Sequence, residues 1–167
     1  MKLLKITTFS LVLIGIILII SGFCGIGYIS YKVAKENITT PSDAFIPNTK
    51  VRGPFTLIAQ AEIIRHHVLK ITGGKTYSEM PSKIPVINSD GTSVLDADGK
   101  PTMIDNSARD IWITANTLIT ALNLGVISYA FSGLVFVLGV GFLLIGVTFR
   151  NIIKIKHEND MSNIDKL

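Results

Sequence analysis

Charge is absent from two stretches of this chain, one near each end. No charged residue lies between Ile6 and Ile29, and none between Ile111 and Phe149. Roughly 20 apolar residues in a helix, rising about 1.5 Å each, cross the hydrocarbon layer of a bilayer. The first stretch therefore predicts a membrane-spanning helix over 6–29. The second is semi-polar at its start (Thr114, Asn116, Thr117, Thr120, Asn123) and strongly apolar from about Gly125. It predicts one long helix over 106–149 that crosses a membrane over 125–149.

Between them the pattern changes. Pro54 suits a first helical turn and Gly73-Gly74 a stop. Leu57, Ala61, Ile64, Val68 and Ile71 recur at helical spacing, predicting an amphipathic helix over 54–72. Its opposite, polar face carries Glu62 and His66, with His67 at the flank. Asn37 to Arg52 reads as an irregular, extended connection. Asp90-Gly91 and Asp98-Gly99 are tight-turn dipeptides. They separate Val86-Ile87, Ser93-Val94-Leu95 and Thr102-Met103-Ile104, the short strands of a hairpin or meander within 84–104. The fold class is a mainly α membrane protein with two spanning helices and a small extracytoplasmic subdomain over 30–105.

Composition strengthens this picture. The 167 residues are 48% hydrophobic and 17% charged, against about 25% charged in ordinary soluble domains. The net charge of +4 does not signal nucleic acid, because the excess sits just outside the apolar stretches. Lys2, Lys5, Arg150, Lys154 and Lys156 outnumber Lys32, Lys35 and Arg109 beside the spans. By the positive-inside rule the segments 1–5 and 150–167 are cytoplasmic and the protein a multi-pass protein of the cell membrane. The first apolar run is too long for a typical signal peptide, and no A-x-A site follows it. Phe23 before Cys24 disfavours a lipoprotein cleavage box, leaving this lone cysteine as a small apolar residue of the helix.

Small residues at four-residue spacing, Ser21/Gly25 and Ser128/Ser132, let helix backbones approach. They predict packing of the two spans on each other, or docking on a larger membrane-protein partner or a second copy. Neither span carries an interior charge that would mark an ion path.

Candidate chemistry is sparse. Glu62, His66 and His67 are the one cluster suited to metal ligation or acid–base work, with Glu79 or an aspartate as a distant third ligand. Adjacent helical histidines point about 100° apart, which favours a plain carboxylate–imidazole pair at i, i+4. Asp96-x-Asp98-Gly99 lacks the spacing and distal glutamate of an EF-hand. There is no nucleophile elbow, phosphate-binding loop or dinucleotide fingerprint, and no cofactor is implied by these residues.

Val51-Arg52-Gly53-Pro54-Phe55-Thr56, Ala59-Gln60-Ala61-Glu62-Ile63-Ile64 with His66-His67, and Thr72-Gly73-Gly74-Lys75-Thr76-Tyr77-Ser78-Glu79-Met80 resemble a family of small two-helix membrane proteins common in actinobacteria. Val94 to Pro101 and Ala108 to Thr114 extend the resemblance over nearly the whole chain. It implies the same topology. Members carry the label aromatic ring-opening dioxygenase, which would imply iron held by two histidines and a carboxylate. A segment of this size between two membrane helices offers little room for such a domain. The expectation is therefore a non-catalytic accessory or interaction protein of the cell envelope, contacting the lipid bilayer and protein partners through Glu62, His66, His67, Lys75 and Tyr77. The alternative is a metal-dependent (iron) dioxygenase using Glu62, His66 and His67. A third possibility is lipid binding by the amphipathic helix.

Overall fold

A computed structural model describes the backbone of residues 2–164 and the side chains of residues 3–156. The chain is mainly helical, with helices α1 (Lys2–Lys35), α2 (Pro54–Ile71) and α3 (Ser107–Ile164). Strands β1 (Lys83–Pro85) and β2 (Met103–Asp105) pair antiparallel, Ile84 opposite Ile104. Two units result, one formed by the residues up to Glu36 together with those from Ile127 on, the other by Asn37–Val126.

In the first unit α1 and the C-terminal part of α3 form an antiparallel pair. Both helices are long and apolar enough to cross a membrane. They are longer than the apolar runs that predict them, because nothing at Lys2, Lys32 or Arg150 breaks a helix. The 150–167 segment, expected as a separate tail, continues α3 as far as Ile164; its last three residues lie outside the described residues.

The seam between the helices is built from small residues at sevenfold spacing. Thr8, Gly15 and Gly22 are buried on α1, and Ser132, Gly139 and Gly146 on α3. Seven residues is close to two helical turns, so such a seam stays on one face along both helices. A Cβ placed on Gly15 would lie 2.6 Å from the Leu143 nitrogen, and one on Gly139 2.6 Å from the Ile19 nitrogen. The backbones touch at these points. Ser30 Oγ and the Tyr129 hydroxyl share a 2.8 Å hydrogen bond farther along the pair. The two long apolar helices pair as expected, but the four-residue motifs are only half used. Ser132 and Gly25 meet, whereas Ser21 and Ser128 are exposed.

The second unit surrounds α2. Pro54 opens the helix, and the Thr56 hydroxyl folds back on the chain entering it. Its oxygen accepts from the Arg52 and Gly53 amides at 3.1 Å and donates to the Gly53 carbonyl at 2.9 Å. The expected apolar stripe is buried at Leu57, Ala61 and Val68, and Leu57 approaches Gly125 of α3. Ile71 at its end is 60% exposed. The opposite face is not simply polar. Ala59 and Ile63, turned about 200° and 240° from Leu57 at 3.6 residues per turn, are also buried.

The connection ahead of α2, expected to be irregular and extended, is a closed loop. Thr39 and Lys50 form an antiparallel bridge. Thr40, 1% exposed, donates its hydroxyl to the Ile46 carbonyl and accepts from the Thr49 amide at 3.0 Å. One buried hydroxyl thus satisfies backbone groups that an extended connection would leave to water.

The turn-rich segment is a meander, as expected, with its longest ladder displaced outward to β1 and β2. The inner positions pair singly, Ile87 with Ser93 and Leu95 with Pro101. Gly91 (φ 85°) and Gly99 (φ 77°) turn the chain, a conformation that costs glycine no Cβ clash. Asn106 closes the meander onto α3. Its Oδ1 accepts from the Ala108 amide at 3.1 Å, capping the helix, while its Nδ2 donates to the Pro81 carbonyl at 2.9 Å.

Candidate functional site

His66 and His67 lie in the fourth turn of α2 on the side of Ala59 and Ile63. The closed loop brings Asp43 to them. His67 Nε2 and Asp43 Oδ2 share a 2.6 Å hydrogen bond, and the two rings have centroids 6.1 Å apart with planes tilted 44°. One ligand atom from each of Asp43, His66 and His67 lies within 4.8 Å of the others. Side-chain torsions therefore bring together two imidazoles that helical geometry points apart. The carboxylate comes from a residue 24 positions away, and Glu62 is not part of the group.

The donor set, two imidazoles and one carboxylate, is that of open first-row transition-metal sites. Around a tetrahedral ion, ligand atoms stand about 3.3 Å apart, given bonds of roughly 2.0–2.1 Å. Asp43 and His67 would have to open slightly, and the more distant pair to close. Side chains that are 45% and 50% exposed have room for that. Beside His67 lies a groove of about 390 Å³ between α2 and the start of α3, lined by Ile64, Val68, Ile71, Ile111 and Leu118 among others.

The Asp43 carboxyl is held below its usual value of 3.8, chiefly by the hydrogen bond from His67, helped by the positive charges of His67 and Lys70. A carboxyl whose folded-state pKa is depressed lends stability above its unfolded pKa and loses it as pH falls through the folded value. The loop–helix contact should thus persist at about pH 5 and release only below the ordinary carboxylate range. Amide exchange in residues 38–51, followed as a function of pH, tests this. Release at a pH where an ordinary aspartate is still ionised would contradict it.

Tyr77 and Lys75 stand apart from this cluster. Tyr77 is in a 3₁₀ turn, Tyr77–Glu79. Its ring carries the Arg109 guanidinium 3.9 Å above it, and Arg109 Nη1 also reaches the Met80 carbonyl at 3.3 Å. Tyr77 is thereby a platform fastening the turn to α3. Lys75 is exposed, and its charge helps lower the Glu79 carboxyl, which is held down mainly by hydrogen bonds from Thr76. Glu62 is likewise exposed.

Asp43 and Arg109 are the partners that pattern reading does not supply. Asp43-Ala44 in a proline-flanked loop has no periodicity to place it, and Arg109 sits among helix-forming residues. Compared with family models, with curated proteins and with solved structures, the chain matches none.

Proposed function

We propose that the protein is an integral membrane protein of the cell envelope, acting as a non-catalytic accessory or interaction protein. Its spans are α1 and the 125–149 part of α3, with both chain ends in the cytoplasm and the segment 30–105 outside. One observation carries the reading: the helix pair is small inside and large and apolar outside. Glycine and serine fill the seam, while Phe9, Phe23, Phe131 and Val137 are 64–71% exposed around the pair. A soluble monomer rarely leaves so broad an apolar surface in water; lipid makes it inexpensive.

The boundary residues support the same reading. Lys32 lies 5.6 Å from the Tyr28 ring centre, and Lys35 4.7 Å from that of Tyr31. Such aromatic and basic pairs suit the belt of a membrane interface. In the second unit Glu62, His66, His67, Lys75 and Tyr77 are exposed groups offered to a partner.

Sidedness is tested by cysteine labelling in a Cys24→Ser background. Ser89→Cys should react with an impermeant maleimide in intact cells, and Asn163→Cys only after permeabilisation. The opposite pattern inverts the topology, and extraction without detergent ends the membrane reading. The accessory role is tested by crosslinking in the membrane, where a solitary monomer would count against it.

The Asp43–His66–His67 group favours a second reading, a divalent first-row metal site, with Asp43 in place of the expected Glu62 as carboxylate. The iron-dependent dioxygenase alternative narrows to the same three ligands. Adding Co²⁺ to purified protein should produce visible d–d bands of a low-coordinate site. His66→Ala and Asp43→Ala should each abolish them, with Glu62→Ala unchanged. Bands that depend on Glu62, or no bands at all, remove this reading.

A further inference from the structure

The meander repeats its pairing every eight residues. Ile87 bridges Ser93, Leu95 bridges Pro101, and Met103 opposes Pro85. The Val86 amide donates to the Thr102 carbonyl at 2.9 Å, the Val94 amide to Val86 at 2.8 Å, and the Thr102 amide to Val94 at 2.7 Å. Three backbone bonds thus close a pseudo-threefold ring. Residues two apart in a strand share a face, and so do cross-strand partners. This register therefore places Pro85, Ile87, Ser93, Leu95, Pro101 and Met103 on one face. Every one except Ser93 is apolar, and Ile87, Leu95 and Met103 are 53%, 58% and 47% exposed. Val86, Val94 and Thr102, on the opposite face, are half-buried.

The rim of this facet is acidic, in a chain whose net charge is +4. Lys83 and Asp105 oppose each other where the chain enters and leaves. At the two turns Asp90, Asp96 and Asp98 stand against Lys100 alone, all four exposed. Among the described residues none of these three carboxylates is in an ion pair. The Asp90 carboxyl is held below its usual value of 3.8 by hydrogen bonds from the Thr92 hydroxyl and amide.

From this juxtaposition we propose that the facet docks a segment of another protein in which apolar side chains are flanked by lysine or arginine. The inference rests on the interaction-protein reading above and gives it a surface on the meander. Burying three large apolar side chains favours contact, and opposite charge around them selects the partner. Pro85 and Pro101 remove amide donors from two strands, which works against pairing with an added strand; the partner is held through side chains. An anionic bilayer surface would be repelled by the carboxylates, and a second copy would set like charges against each other.

The test places the photocrosslinker benzoylphenylalanine at Leu95 of the full chain in its own membranes, and in a separate chain at Glu62. Mass spectrometry then identifies the attached peptide. The adduct from position 95 should lie in a protein segment with lysine or arginine beside apolar residues. Ile87→Ser and Met103→Ser should each lower its yield by about fivefold, the scale of one anchoring interface side chain. Asp96→Asn with Asp98→Asn keeps the acceptor oxygens of the turn and should lower the yield severalfold.

An adduct on acyl chains would assign the facet to the membrane, and one on a second copy to self-association; either overturns the proposal. So does an adduct in an acidic or uncharged segment, or a yield indifferent to Ile87→Ser and Met103→Ser. Protein adducts from position 62 with none from position 95 overturn the facet and leave the interaction reading standing. Protein adducts from neither position overturn both.

Discussion

Replacing Gly15 by leucine should force the two long helices apart. A Cβ at this position falls 2.6 Å from the Leu143 nitrogen and 2.9 Å from the Gly139 oxygen. Both are backbone atoms, so no side-chain rotation relieves the overlap, and the rest of the leucine adds to it. Overpacking a well-fitted interface costs typically 1–3 kcal/mol even where side chains can shift, and about the upper end is expected here. Gly139→Leu should behave alike, since its Cβ meets the Ile19 nitrogen at 2.6 Å. Gly141→Leu is the control, because nothing lies within 4 Å of a Cβ there.

A disulfide reporter reads the separation. A Cβ on Gly25 would stand 3.2 Å from the Ser132 Cβ, near the roughly 3.8 Å that a disulfide spans. In a Cys24→Ser background, Gly25→Cys with Ser132→Cys should crosslink readily, and adding Gly15→Leu should slow this severalfold. If Gly15→Leu crosslinks as fast as Gly141→Leu, the seam has been misplaced.

What the sequence reveals and what it hides divide along sequence separation. The two long apolar helices, α2 and the turns at Asp90-Gly91 and Asp98-Gly99 are local, so periodicity and dipeptide chemistry find them. The seam is non-local. Ser21/Gly25 and Ser128/Ser132 have suitable spacing, but which small residue touches a partner depends on the rotation of both helices, and the rotation adopted buries Gly15, Gly22, Gly139 and Gly146. The second buried face of α2 was likewise hidden, because Ala59 and Ile63 alone make too sparse a stripe to outweigh Glu62 and His66 beside them. For the Asp43–His66–His67 group, the histidine pair is legible in the sequence and the carboxylate beside it is not. Glu62 lies one helical turn from His66, so it is the natural local choice. Asp43 arrives because the 37–52 loop closes, through the Thr39–Lys50 bridge and the hydroxyl of Thr40, a threonine that no motif distinguishes from its neighbours.

That threonine carries the second large effect. Thr40→Val keeps the volume of the side chain and removes its hydroxyl. The Thr49 amide loses the acceptor 3.0 Å away, and the Ile46 carbonyl loses its donor. Thr40 is 1% exposed and Ile46 and Thr49 are half-buried, so water replaces the lost hydroxyl only in part. An orphaned buried backbone group costs about 1–3 kcal/mol, so two together should destabilise the loop by about 2–5 kcal/mol, partly relieved if the loop opens to solvent. Thr40→Ser retains the hydroxyl and loses only a methyl, worth roughly 0.8 kcal/mol. Hydrogen exchange at the Thr49 amide should accelerate by two orders of magnitude or about that in Thr40→Val, since each 1.4 kcal/mol is about tenfold, and by far less in Thr40→Ser. Because the same closure delivers Asp43 to His67, Thr40→Val should also weaken Co²⁺ binding without touching a ligand. Unchanged exchange at Thr49 in the valine variant would show that the loop is closed by something other than this hydroxyl.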